Sequence, residues 1–191
     1  MSQMKIYYTT SARGNDEVFT NSLHIFNSIL ELGHTHLDDF RNDMNQEKVY
    51  SDSFEEKKLR YKNAMRHTQL ADIVILEVST HSLTMGYLLN VALQNNKPII
   101  LLHLRNRLPA FAEGIEKSKL QIWEYSMKDI DVILSESLEQ AKKDVTTRFN
   151  LFITGEQYSY LEKKSIEKKV GKSEVIRELI DTAIDNDTQI E

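Results

Sequence analysis

Two short runs constrain this chain more than anything else in it. Residues 72–78, "DIVILEV", and 98–104, "PIILLHL", are apolar almost without a break. A strand with one face in water alternates apolar and polar residues, so unbroken runs of this length belong to strands covered on both faces. Between them lies "STHSLTMGYLLNVALQNNK", a turn rich in Ser and Thr followed by helix-forming residues. Strand, turn, helix and strand in that order make a crossover between parallel neighbours. In such a sheet, ligands collect beyond the carboxyl ends of the strands.

The rest of the N-terminal part extends the pattern. "KIYYT" at 5–9 is a short β-rich run, and "SARGND" follows as a turn in which Asn15 or Asp16 can cap a helix. Phe19, Leu23, Phe26 and Leu30 recur at helical spacing, which predicts a helix over 18–32 that stops at Gly33. "HTHLDDF" at 34–40 reads as a weaker second strand, and 41–52 is polar and irregular. Helices are expected over 54–70, 86–95 and 129–143, with a fifth strand at 119–125.

Bulk properties exclude several chemistries. The chain has 191 residues, room for one α/β domain and a small appendage. Its formal net charge of -5 supplies no global basic field, so nucleic-acid binding would need a local patch. With no cysteine, disulfides, zinc–thiolate sites, iron–sulfur clusters and cysteine nucleophiles are excluded. His34 and His36 would share a strand face but lack a third ligand nearby, so they are expected as packing or surface residues and no metal is expected. No cofactor is expected either. The opening "MSQMKIYYTTSARG" lacks an apolar signal core and no apolar run reaches membrane-spanning length, so the expectation is a cytoplasmic protein without a membrane partner.

Two loops stand where a ligand would sit, "TTSARGN" after the first strand and "STHSLTMG" after the third. They offer hydroxyls, one guanidinium, backbone amides near helix starts, and a glycine that lets the backbone approach a ligand. Together these suit a phosphate. The same residues serve equally as ordinary polar helix caps.

The run from residue 5 to about residue 142 resembles the nucleoside 2-deoxyribosyltransferase superfamily, and within it the 2'-deoxynucleoside 5'-phosphate N-hydrolase branch. The resemblance rests on "IYYTTSARGN", "ADIVILEVSTHSLTMGY", "KPIILL" and "LQIWEY", in that order. It implies a Rossmann-like parallel five-stranded sheet with flanking helices. It also implies a nucleoside monophosphate site built from Tyr7, Ser11, Arg13, Gly14 and Ser82, with His81 and Gly86 in the same segment. In that family a Glu directly after the Gly-Tyr pair attacks the sugar, helped by an Asp on the preceding helix and a Tyr on the first strand. Here the Glu position is Leu88, the Asp position is Ala64, and a family glycine is Asn90. An alkyl group cannot stabilise a sugar cation or form a glycosyl intermediate. Tyr7 and Glu77 are the only catalytic candidates left. The family also has a Glu at the Glu77 position, beside its nucleophile, which fits a loop-positioning role.

The C-terminal segment differs. "RFNLFIT" alternates, with Phe149, Leu151 and Ile153 facing one way and Arg148, Asn150 and Phe152 the other. Two helices follow, the second starting in "GKSEVIRELI" with Ser173 as its expected N-cap. A lone strand and two helices cannot complete a core, so the segment must pair with the sheet or with a copy of itself. Residues 147–183 resemble the ribbon-helix-helix family, in which two chains pair their strands into a ribbon that enters the major groove. That resemblance makes Arg148, Asn150 and Phe152 base-facing, and Gly171, Lys172 and Ser173 phosphate-facing. From 148 to 172 there are six Lys/Arg against three Glu.

The expected organisation is a deoxyribosyltransferase-like domain at 1–146, a ribbon-helix-helix dimerisation module at 147–185 and a frayed tail at 186–191. The expected function is a homodimeric (or dimer-of-dimers) regulator that binds duplex DNA and carries a degenerate nucleotide-binding domain. One alternative is an active deoxynucleotide N-glycosidase or deoxyribosyltransferase whose tail only oligomerises. Another is an antitoxin-like module that binds a protein.

Overall fold

The structure, a computed structural model, describes residues 3–43, 51–115, 119–145 and 151–188. The chain divides into two compact units, Met1–Thr146 and Thr147–Glu191.

The first unit alternates strand and helix. Its elements are β1 (Lys5–Thr10), α1 (Asp16–Glu31), β2 (Thr35–His36), a 3-10 turn (Phe40–Asp43), α2 (Phe54–Leu70), β3 (Ile73–Glu77), α3 (Leu83–Gln94), β4 (Ile99–Leu104), a short α4 (Ala110–Glu113), β5 (Leu120–Tyr125) and α5 (Ile130–Lys143). The sheet is five-stranded and parallel throughout, in the order β2-β1-β3-β4-β5. Strand order reverses between β1 and β3, where Ile6 pairs with Ile73 and Thr10 with Glu77. Chain connections diverge from that point to opposite sides of the sheet and leave a crevice at the strand ends.

The strand period sorts the core into two layers. Ile6, Tyr8, Ile73, Ile75, Ile100 and Leu102 face Ile25 and Ile29 of α1 and Leu134 and Leu138 of α5. Tyr7, Val74, Leu76, Ile99 and Leu101 face Ala64 and Met65 of α2 and Met85, Leu88 and Leu89 of α3. Every residue of β3 is buried, as its unbroken apolar run requires.

Helix ends follow local chemistry. Asn15 caps α1 by accepting from the Val18 amide at 3.1 Å. Gly33 ends it at φ 84°, a conformation in which a side chain would be strained. Ser53 and Glu56 close a reciprocal capping box at the start of α2. Helix α3 begins at Leu83, earlier than the expected start at Gly86. Its buried stripe of Met85, Leu88, Leu89 and Ala92 starts before the glycine, so the glycine lies inside the helix.

The second strand is shorter than "HTHLDDF" suggests. Only Thr35 and His36 pair, against Lys5 and Ile6, and the chain then turns away. His34 lies just outside the strand, where its Nδ1 accepts from the Met4 amide at 3.3 Å. His36 stacks on Phe26 with ring centroids 3.7 Å apart. Both histidines are packing residues. Among the described residues no group of three or more His, Asp or Glu could hold a metal ion, and no helix is long and apolar enough to cross a membrane.

The second unit contains α6 (Gly155–Lys168) and α7 (Lys172–Thr188). A capping box of Thr154 and Gln157 starts α6. The turn between them places Lys169, not the glycine, at positive φ (56°). Helix α7 starts at Lys172, so Ser173 lies inside the first turn. The Gly171 carbonyl accepts from Glu174 at 2.9 Å and from Val175 at 3.2 Å. The helix runs to Thr188, past the expected onset of fraying at 186; residues 189–191 lie outside the described residues. Residues 151–154 form no strand. The rest of that expected strand, with Arg148 and Asn150, lies outside the described residues. A strand needs a partner edge, and the described part of this unit offers none.

Truncating the central core should unfold the first unit far more readily than trimming its surface. Ile75→Ala, at a fully buried site, is expected to cost about 2–5 kcal/mol in urea unfolding. Leu30→Ala, on the half-exposed face of α1, should cost under about 1 kcal/mol.

Candidate functional site

A cavity of ≈ 480 Å³ opens at the carboxyl ends of β1 and β3. It occupies the crevice that the reversal of strand order creates. Four segments build its wall. β1 supplies Tyr7, Thr9 and Thr10, and the loop after it supplies Ser11, Ala12 and Arg13. α2 supplies Lys57, Arg60, Tyr61 and Ala64, and the start of α3 supplies Ser82, Leu83, Thr84, Met85 and, one turn deeper, Leu88.

The loop after β1 is a tight turn. The Arg13 amide donates to Ser11 Oγ at 3.2 Å, and the Gly14 amide to the Ser11 carbonyl at 3.0 Å. A Cβ at Gly14 would stand 3.0 Å from Val18 Cγ1 and 3.4 Å from the Ser11 carbonyl oxygen. A side chain there would crowd Val18, so glycine lets α1 pack close against the turn, a different reason from close approach to a ligand. At the start of α3, Ser82 occupies the N-cap position but its side chain makes no capping hydrogen bond, and no acidic residue sits in the first turn. The hydroxyl and the first-turn amides of a helix start of this kind favour an anion.

Tyr7, Ser11, Arg13 and Ser82 thus line one cavity. His81 and Gly86 do not line it; His81 is exposed and Gly86 lies within α3. The two positions where the resemblance puts working carboxylates, Leu88 and Ala64, both line the cavity. Leu88 is 1 % exposed, packed in the same apolar cluster as Tyr7. Sequence reasoning missed Lys57, Arg60 and Tyr61. With Ala64 they fall at helical spacing on one side of α2, a stripe hidden by the charge all round that helix. Arg60 also forms an ion pair with Asp52. The Tyr7 ring lies 5.7 Å from that of His67, whose Nδ1 is 3.1 Å from Asp38 Oδ2.

Glu77 does not line the cavity. It alternates onto the other side of the sheet and is fully buried. Thr10 Oγ1 donates to it at 3.1 Å, the Ser79 amide at 3.2 Å, and Tyr125 OH at 3.3 Å; the Ser79 hydroxyl donates as well. Ser79 Oγ in turn accepts from the Leu104 amide at 2.7 Å. One carboxyl group thereby ties together the ends of β1, β3, β4 and β5, at the roots of both cavity loops. Burial pushes its pKa above the ordinary 4.5, against the lowering effect of these donors.

In the second unit, Phe152 is fully exposed. The Lys172 ammonium donates to Tyr158 OH at 2.9 Å, lies 4.4 Å from that ring's centroid and is 3.4 Å from Glu162, so it is engaged by α6. An apolar groove of ≈ 390 Å³ lies between 151–153 and the two helices, walled by Leu151, Ile153, Tyr160, Leu161, Ile176 and Leu179.

No family model matches the chain, and none of the curated proteins matches it.

The raised pKa of Glu77 has a defined linkage sign. The folded state holds the proton more tightly than the unfolded chain, so the stability from this group is full below pH 4.5 and is lost as pH rises through the folded value. Urea unfolding of wild type and Glu77→Gln across the acid range should show this loss in wild type only. A stability difference between the two that stays flat with pH would mean the pKa is not raised.

Proposed function

We propose that this chain is a homodimeric DNA-binding regulator whose Rossmann-like domain binds a nucleoside monophosphate without cleaving it. The observation that carries the nucleotide half is the composition of the cavity wall. Hydroxyls, cations and a helix start suited to phosphate surround an interior lined by Leu88 and Ala64, where the resemblance puts a nucleophile and its helper. Such a site recognises a nucleotide, and among the described residues no carboxylate lines it to attack its C1'.

The second unit serves as a ribbon-helix-helix module. Among its described residues only Leu161 and Val175 are buried apolar side chains, while Leu151, Ile153, Tyr160 and Leu179 stay exposed around the groove. A second copy covers that surface, and Arg148, Asn150 and Phe152 of the paired ribbon face the bases, with Gly171, Lys172 and Ser173 near phosphate. The role of Lys172 then requires it to leave Tyr158 or to reach phosphate while still stacked on that ring.

Two measurements test the reading. Full-length protein incubated with the four deoxynucleoside 5'-monophosphates should bind at least one of them and release no free base above the uncatalysed rate. Rapid release, with a sugar covalently attached to a carboxyl group of the chain, would replace this reading with the enzyme. In gel-shift selection from random duplexes, the protein should enrich a two-fold symmetric site and bind it less tightly at higher salt. Asn150→Ala should cost about 1–3 kcal/mol on that site while sparing non-specific binding. No enrichment, from a protein that sediments as a dimer, would reduce the second unit to a dimerisation device.

A further inference from the structure

Helix α2 is poorly covered for its length. Of its 17 residues only Thr68 is buried, against seven of 16 in α1 and five of 14 in α5. Large side chains on α2 and on the adjoining side of α3 stand in solvent. Phe54 is 78 % exposed and Leu83 93 %, while Leu59, Tyr61 and Tyr87 are half-exposed. The Tyr61 and Tyr87 rings lie 5.7 Å apart, which joins the contributions of the two helices into one surface. Together these side chains uncover on the order of 500 Å² of apolar surface, within the size range of patches that mark interaction sites. Beside them Glu55, Glu56, Lys58, Leu59 and Lys62 line a shallow hollow of ≈ 330 Å³.

The charges of α2 say what fits this surface. Its two acidic residues, Glu55 and Glu56, both lie in the first turn. Residues 57–70 hold five Lys/Arg and no Asp or Glu. A helix dipole favours acids at its start, but it acts only over the end turns and does not account for cations in mid-helix. Lys62 and Arg66, one turn apart, have no ion-pair or hydrogen-bond partner among the described residues. Glu55 holds Lys58 at 3.6 Å with both side chains exposed, so that pair loses little by re-pairing.

A second copy of the same helix supplies the missing partners. Two copies related by a two-fold axis across α2 run antiparallel, so the acidic start of each meets the basic later turns of the other. A crossing centred near Leu59 sets Glu55 of one copy between Lys62 and Arg66 of the other, twice by symmetry. The two Leu59 side chains then meet at the hollows, with Phe54, Tyr61, Leu83 and Tyr87 flanking them.

We propose that the outer face of α2 and α3 is an interface between two copies of this chain. It lies wholly in the first unit and rests on neither the nucleotide nor the DNA reading.

The lack of cysteine makes the test direct. Lys58→Cys and Leu59→Cys are introduced one at a time into the full chain, with Val132→Cys, at an exposed site on α5, as the control. Under a mild oxidant both α2 variants should form disulfide-linked dimers at least about tenfold faster than the control, since a bridge needs Cα atoms within about 7 Å. Pairing through the second units would raise all three rates alike, so the ratio reports the α2 face. Two further changes in the Leu59→Cys chain read the packing and the charge. Leu83→Asp, at a side chain too exposed to matter for folding, should slow cross-linking at least about fivefold. Glu55→Lys should slow it at least about threefold, and Glu55→Lys/Arg66→Glu, which exchanges the two charges without changing the net charge, should restore most of the loss. Equal rates at residues 58, 59 and 132 overturn the interface, whatever else covers this face. Fast cross-linking that either change leaves untouched, or that the charge exchange fails to restore, overturns it too, because these side chains would then not form the contact.

Discussion

A parallel sheet with both faces covered by apolar side chains is the constraint on which the first unit depends. Once β3 and β4 are buried on both sides, helices must pack on both faces. The crossovers that deliver them must then diverge somewhere along the sheet. Here they diverge between β1 and β3, and the cavity is the gap they leave. Glu77 sits at the end of that same strand pair, on the other face. A carboxyl group in such a place is costly unless its oxygens are engaged. Thr10, Ser79 and Tyr125 engage them, so one polar cluster on the α1 side fixes the roots of the loops that form the cavity on the α2 side.

The cavity combines hydroxyls and cationic side chains with an apolar floor. Phosphate recognition needs donors and positive charge, which the Ser11–Arg13 turn, the start of α3 and the outer turns of α2 supply. Glycosidic cleavage needs a carboxylate at the sugar, and Leu88 and Ala64 cannot provide one. Apolar side chains at Leu88 and Ala64 bring no negative charge that would repel an anionic ligand.

The second unit obeys a different limit. Among the described residues of this unit only Leu161 and Val175 are buried apolar side chains, little for a unit of this size. Its exposed Leu and Ile side chains around one groove are the physical form of that deficit. Its helix ends, by contrast, are well made. The Thr154 capping box and the left-handed Lys169 define the hairpin locally, whatever covers its apolar side.

Much of this was legible in the sequence. The apolar runs announced β3 and β4, the spacing of Phe19, Leu23, Phe26 and Leu30 announced α1, and Asn15 and Gly33 marked its ends, because these signals are local. The resemblance puts alkyl side chains, Leu88 and Ala64, where it expects carboxylates, and both line the cavity. Other features had no local signal. "HTHLDDF" reads as a strand, yet only two residues find a partner edge, and pairing length depends on a neighbour far away in the chain. Gly86 looks like a helix start because glycine breaks helices, but Met85 is held by the core and draws the helix past it. The sequence by itself determined a parallel α/β unit, two polar loops at its strand ends and a helical C-terminal segment, since residue period and turn chemistry act over a few positions. Only the tertiary structure decided that Glu77 turns away from the cavity, that Gly14 makes room for Val18, and that Lys57 and Arg60 of a helix charged all round come to face Arg13. Those outcomes depend on how separate elements pack, which spacing along one chain does not specify.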